Sequence, residues 1–231
     1  IGLTTAGFSI VNGVLVRALP FEDPDRLYVL QSMDSTRDPF SQVSMGNWVD
    51  WKEQSRTIES TALYRTFRSP IVVQGTAVRA WTTYATGDFF RMMRPPMVTG
   101  RGFNEAEVQD GEGVAVASEG FWRSVLGARA LPISITVDGN PVAVIGVVEG
   151  GHAHPRETDL WAPQRYRAST GMLRNSINFS AIARLAPGVS EVEAERDLSR
   201  IANEIRAKEP LGLYSWGVGL SPLKDEVIGD A

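Results

Sequence analysis

Residues 1–16, IGLTTAGFSIVNGVLV, carry no charge, and that run restricts the chain more than any other feature. Leu3, Ala6, Ile10, Val11, Val14 and Leu15 recur at helical spacing. Arg17 then introduces charge, Pro20 stops any helix, and Glu22-Asp23-Pro24-Asp25-Arg26 is the chemistry of a solvated turn. The pattern predicts an apolar helix that runs into a polar domain. A full bilayer span needs about twenty predominantly apolar residues. With Thr4, Thr5, Ser9 and Asn12 in it, this run falls short. It reads either as the end of a transmembrane helix or as an ordinary amphipathic one. The sequence opens on Ile1 rather than Met, so a cut through something longer is expected.

The chain as a whole has globular composition: 231 residues, 43% hydrophobic, 22% charged, net charge −4. That suits one domain or two compact subdomains. Mild acidity without Lys/Arg clusters argues against nucleic acid as a partner. The absence of cysteine excludes disulfides and thiolate metal sites, and fits the cytosol or a bacterial periplasm. No complete transmembrane helix is read within the chain, and residues 1–16 lack the basic n-region and cleavage site of a signal peptide.

Along the chain, Arg26 to Met33 alternates as a strand and Asp34 to Gln42 reads as a loop. Ser44 can N-cap a short helix in which Trp48 and Trp51 share a face, as its buried side or as a ligand platform. Thr61–Phe67, Pro70–Val73 and Val78–Thr86 read as strands. Asp88–Met93 predicts one or two helical turns, with Phe89 and Phe90 as core or as an apolar binding spot. Gly100–Gly113 reads as a polar, Gly-rich connection. Val114–Ala117 predicts a short buried strand and Ser118 the cap of the next helix, which Gly127 ends. Ile133–Val148 is the clearest hairpin, turning at Asp138-Gly139-Asn140. Asp159–Trp161 and Ile177–Leu185 are further strands. Ser190–Lys208 is the best helix: Ser190 and Glu193 form a capping box, and Leu198, Ile201, Ala202 and Ile205 make one apolar stripe. Tyr214–Leu220 closes as a strand, and Val227-Ile228-Gly229 restarts an apolar run. Two strand-rich outer segments with long helices thus flank a middle, roughly 88–175, of short strands and small helices, an α+β pattern with an inserted subdomain.

Motifs that carry chemistry are scarce. No phosphate-binding G-x-x-x-x-G-K-[ST] is present, and Gly217-Val218-Gly219 lacks the third glycine of a dinucleotide fingerprint. Val116–Gly120 lacks the first glycine of a nucleophile elbow, which leaves Ser118 as a helix cap. The only histidines are His152 and His154. With Glu157 and Asp159 they could hold zinc, and Ser118, a histidine and Asp159 could be written as a triad. An exposed Gly-rich loop with two solvated imidazoles explains the same residues. No residue is assigned a catalytic, cofactor-binding or metal-binding role, and the chain is not read as an enzyme.

A family pattern runs through the sequence. FSIVNGVLVRALPFEDPDRL (8–27) resembles the end of the first transmembrane helix and the entry to the periplasmic domain of MacB-type ABC transporter permeases, most of all the predicted-permease group abundant in acidobacteria. SMGNWVDW (44–51), TGDFFRMM with GRGF (86–103) and VAVASEGFWRSVLG (114–127) follow in the family's order. So do ITVDGNPVAVIGVV (135–148), DLWAP (159–163), ARLAPGVSEVEAE (183–195) and PLKDEVIGD (222–230). The chain departs at Gly150-Gly151-His152-Ala153-His154, where the family has a Pro/aromatic loop.

The resemblance implies an α+β fold: a porter-like α/β-sandwich subdomain built from both chain ends (21–87 and 176–224) and an inserted β-rich subdomain (88–175). It implies that 1–20 is the outer end of transmembrane helix one, a stalk, and 225–231 the approach to helix two. The domain would face the periplasm from a bacterial inner membrane. Its partners would be a second permease subunit, as a homodimer or paired half, and a cytoplasmic ABC ATPase, with room for a periplasmic adaptor or outer-membrane protein. No cofactor is implied. The expected function is to couple ATP-driven helix motion to periplasmic substrates or partners, as mechanotransmission or efflux. The alternatives are a soluble periplasmic binding module for a peptide, lipid or glycan, and a metallohydrolase around His152 and His154.

Overall fold

A computed structural model describes residues 21, 23–36, 39–166, 174, 176–208 and 216–229. The expected stalk (1–20) and the last two residues lie outside them, as does Tyr214. In chain order the elements are β1 (Leu27–Met33), β2 (Pro39–Phe40), β3 (Val43–Ser44), α1 (Met45–Gln54), β4 (Ile58–Val73) and β5 (Thr76–Ala85). Then come α2 (Asp88–Met93), β6 (Met97–Gly100), α3 (Glu105–Asp110), β7 (Val114–Ser118), α4 (Glu119–Ser124), β8 (Ile133–Val137) and β9 (Asn140–Val148). The chain continues through β10 (Leu160–Pro163), β11 (Ile177–Leu185), α5 (Glu191–Lys208), β12 (Gly217–Pro222) and α6 (Leu223–Gly229). The fold is α+β, with one large mixed sheet in the order β12-β1-β11-β4-β5-β10-β7-β9-β6. Among the described residues, the β5–β10 and β7–β9 pairs are parallel and the others antiparallel.

Strand alternation assigns each side chain to a face. On β11, Ala181, Ala183 and Leu185 join the core under α1 and α5, while Ile182 between them joins the core on the opposite face. On β7, Val114 and Val116 face that second core and Ala115 and Ala117 a third, with β8, β9 and α4. The stripe foreseen on α5 is buried: Leu198 and Ile201 are fully covered. The Ser190–Glu193 capping box forms in both directions. Trp48 and Trp51 are likewise inside, Trp48 donating its indole N–H to Thr61 Oγ1 at 2.9 Å. Phe89 and Phe90 lie in the second core, packed edge-to-face on each other and on Tyr64, Phe103 and Trp161.

Several elements differ from the sequence reading, among them β3, β6 and α6, and three of the differences have a clear local reason. Thr61–Phe67 and Pro70–Val73 belong to one strand of 16 residues. Pro70 is tolerated because its carbonyl accepts the Asp138 N–H, so its missing N–H falls on that same edge, away from the β5 ladder. The Gly100–Gly113 connection contains α3, whose N-cap is Asn104: its side chain accepts the Glu107 N–H while Glu107 accepts the Asn104 N–H. A two-residue β2 interrupts the Asp34–Gln42 loop by pairing with β1.

Arg184 on β11 locks the entry of the chain to the sheet. It is 5% exposed, and its guanidinium donates to the carbonyls of Asp23 (3.2 Å) and Met92 (2.9 Å), the latter in the last turn of α2. Its burial lowers the guanidinium pKa from the ordinary value. Arg184→Met keeps the apolar stem and strands both carbonyls, a cost of about 1–3 kcal/mol. Urea unfolding should show that loss as a lower midpoint at constant slope, and an unchanged midpoint would show that the two contacts contribute nothing net.

Candidate functional site

β4 and β11 run together from the Ile58–Leu185 pair to the Tyr64–Ser180 pair and then part. Beyond that point Ile177 and Phe179 of β11 pair with β3 instead. The fork opens a cleft of about 860 Å³, within the size range of ligand sites. Tyr64, Arg65 and Thr66 of β4 and Trp81 of β5 form one wall, and Asn178 and Ser180 of β11 with Gln42 form another. The loop His154–Glu157 and Glu226 of α6 complete it. The lining is mostly polar and mixed in sign, with Arg65 and Arg156 against Glu157 and Glu226.

His154 is part of this lining. Its Nε2 lies 3.1 Å from the Tyr64 hydroxyl, and its ring meets Tyr64 and Phe21 edge-on. Burial lowers its pKa to about 4, so the ring is neutral near pH 7. Burial also raises Tyr64, which keeps its proton, against a small opposing effect of Ser180. His152 takes another direction: its Nδ1 lies 3.1 Å from the carbonyl of Gly150. Among the described residues no group of three His, Cys, Asp or Glu side chains is placed to hold a metal ion. Ser118 Oγ accepts the Phe121 N–H as a helix cap, and Asp159 Oδ2 accepts the Trp81 N–H. Ser118 and Asp159, which could be written into a triad, therefore serve the backbone. Of the polar residues singled out from sequence, the cleft gathers only His154 and Glu157. Arg65, Gln42, Asn178, Ser180 and Glu226 were not foreseen. The available signal was a pair of arginines, Arg65 and Arg68, three positions apart near the middle of β4.

A second feature concerns the two ends of the described fold. β1 and β12 are antiparallel neighbours from Tyr28–Pro222 to Met33–Gly217. The 3-10 turn Pro24–Arg26 that leads into β1 therefore lies beside α6, and Lys224 Nζ is 2.9 Å from Asp25 Oδ1. This exposed pair contributes little stability, but it marks how close the segments are. Arg26 donates to the Leu185 carbonyl through Nε (2.9 Å) and Nη2 (2.6 Å) and also pairs with Glu59. The entry to β1 is thus tied to β11 and β4, and α6 packs where the entry begins.

A model of the MacB-like periplasmic core domain matches residues 1–201. The chain belongs to that family. It is the periplasmic domain of a MacB-like ABC transporter permease. Solved structures share the fold. A domain of a candidate permease protein from Porphyromonas gingivalis has a TM-score of 0.68 at 17% identity, covering 88% of this chain and 92% of that one. The periplasmic region of MacB from Actinobacillus actinomycetemcomitans gives 0.65 at 14% identity, covering 95% and 99%. The extracellular domain of the noncanonic ABC-type transporter YknZ from Gram-positive bacteria gives 0.60 at 13%, covering 84% and 99%. No curated protein matches the sequence. Among the described residues of this MacB-like domain, no helix is long and apolar enough to cross a membrane.

The neutral His154 has a consequence for stability. Its folded pKa of about 4 lies below the ordinary 6.5. Between those values the unfolded MacB-like domain takes up a proton that the native one refuses, so stability falls as pH falls through that window. Above pH 6.5 the ring is neutral in both states and adds no slope. His154→Gln should flatten the dependence of urea stability on pH between about 6.5 and 4 relative to the wild type. Superimposable profiles would mean that the native ring protonates freely.

Proposed function

We propose that this domain transmits ATP-driven motion of transmembrane helices to substrates or partners in the periplasm. The observation that carries the reading is the clamped junction where the entry to β1 and the exit from β12 meet. Residues 1–20 are taken as the outer end of one transmembrane helix and 225–231 as the approach to another. A movement of either helix would then enter the sheet at neighbouring strands. From β1 it passes through β11 to β4, whose 16 residues span roughly 50 Å at about 3.3 Å each. β4 contributes to all three cores, so displacement at one end is carried to the other by packed, hydrogen-bonded strand.

The same reading divides the chain into a porter-like subdomain (21–87 and 176–224) and an inserted β-rich subdomain (88–175). Among the described residues, the buried members of the core under α1 and α5 come from the first, with Tyr166 of the second packed against it, which supports that division. The working assembly has a second permease subunit, and its ATPase resides on another chain or region, since no P-loop motif occurs here. An adaptor or outer-membrane partner would extend the same path outward. Groups poised for catalysis are not required, because the domain's work is mechanical.

The domain has no cysteine, which makes paired labelling clean. In the full-length permease with its ATPase in a membrane, spin labels at Asp25→Cys and Lys224→Cys within one subunit should keep one separation with and without ATP. The distance between Asp25→Cys labels in the two subunits should change by several ångströms. Unchanged distances between subunits in both nucleotide states would overturn the coupling role.

A further inference from the structure

The fork between β4 and β11 leaves a strand edge without a partner. On its β5 side β4 is paired continuously from Tyr64 to Val73. On the other side β11 ends its pairing at Tyr64 and β8 begins only at Ile71. The Pro70 carbonyl is taken by the Asp138 N–H. Residues 65–69 therefore face no strand on that side among the described residues. The direction of their backbone groups follows from the ladder. Leu63 exchanges hydrogen bonds with Thr86 toward β5, whereas Pro70 points its carbonyl toward β8. Orientation alternates along a strand, so the N–H and C=O groups of Thr66 and Arg68 point into the fork.

The side chains beside this edge add a charge. Arg65 holds its guanidinium 4.9 Å from the ring centroid of Phe179 and 5.5 Å from that of Phe67. Its buried Nε has no hydrogen-bond partner, and no ion pair to it occurs among the described residues. Phe67 is 39% exposed and stacks on Tyr84 at 4.9 Å, an aromatic surface open to solvent at the same place. The other arginine of the cleft, Arg156, already has an interaction, and Glu157 and Glu226 supply negative charge. Among the described residues of the cleft, Arg65 is thus a cation with no ion pair.

We propose that this fork binds an extended peptide segment of another protein by strand addition to Thr66 and Arg68, with a carboxylate of the peptide on Arg65. Backbone pairing supplies affinity in such complexes and side-chain contacts supply selectivity. A guanidinium fixed between two rings pairs with a carboxylate in a planar, two-pronged geometry. The exposed Phe67 ring suits an apolar residue beside the acidic one. This binding site is independent of the coupling role, and each can fail without the other.

The probe is a peptide of roughly seven residues, alternating threonine and valine around a central glutamate, acetylated and amidated, added to the full chain at up to about 1 mM. Amide NMR shifts report its position, and hydrogen exchange at Thr66 and Arg68 reports pairing. The expected result is saturable shifts at residues 64–69 and 178–180 with slowed exchange at Thr66 and Arg68. Arg65→Gln, with unchanged thermal unfolding, should bind about tenfold more weakly, and methylation of alternate peptide nitrogens should abolish binding. A glutamine peptide with a free C-terminus separates a terminal carboxylate from a side-chain one, and the amidated glutamine peptide should match the Arg65→Gln loss. Absence of shifts at these residues at the highest concentration, or binding indifferent to both Arg65→Gln and nitrogen methylation, would overturn the proposal.

Discussion

The architecture depends on the pairing of β4 with β5, unbroken from Tyr64–Ala85 to Val73–Thr76. A strand this long cannot be covered by one core. Its first half lies between the core of α1 and α5 and the aromatic core around Phe89, and its last residues enter the core of β8 and β9. Between them the strand passes a waist where Phe67 and Arg68 are exposed. The β5 ladder is what keeps that waist straight. Without it, the two ends of the described fold would be joined by an unpaired segment. The waist and the fork have one cause, since β11 leaves β4 before β8 arrives.

How much of this was legible in the sequence depends on whether the deciding contact is local. Ser44, Ser118 and Ser190 cap helices through bonds to residues three positions on, and the Asp138-Gly139 turn sets its own hairpin. Each of those signals sits within a few neighbouring residues. α3 was hidden by its shortness: six residues with Val108 as the only apolar residue beyond alanine give no stripe, although Asn104 and Glu107 are a capping box. The continuity of β4 was hidden by Pro70, because only the three-dimensional ladder shows that its missing donor lies on the unpaired edge. The cleft was out of reach altogether. Its lining joins Gln42, Arg65, His154, Asn178 and Glu226 from five separate segments, and no spacing rule connects them.

The histidine loop engages both imidazoles in contacts within the fold. His154 is aligned with Tyr64 and packed against Phe21, at the place where the chain enters the sheet. Holding the imidazole neutral there costs little at pH 7 and closes the aromatic core beneath the cleft. His152, two positions away, turns to its own loop backbone, which the flexible Gly150-Gly151 pair allows, Gly151 adopting a positive φ. On a strand, an H-x-H pair would point both rings one way. Residues 149–159 form a loop here, and that condition is not met.

An unpaired strand edge is a hazard that folded proteins usually cover or guard. At the fork the guards are visible: Arg68 is exposed on the edge, Pro70 ends it, and the diverging β11 restricts access to the cleft side. These devices oppose pairing with a second copy of the same edge, since two copies of Arg65 and Arg68 would be brought face to face. They do not oppose a strand that carries a carboxylate. Charge that repels self-association while leaving hydrogen-bonding groups exposed is how an edge remains open and selective at once. The position of this edge matters as much as its chemistry. It lies on the strand that joins the cores, so an added strand would also pair the waist on its open side and stiffen the part of the sheet that connects them.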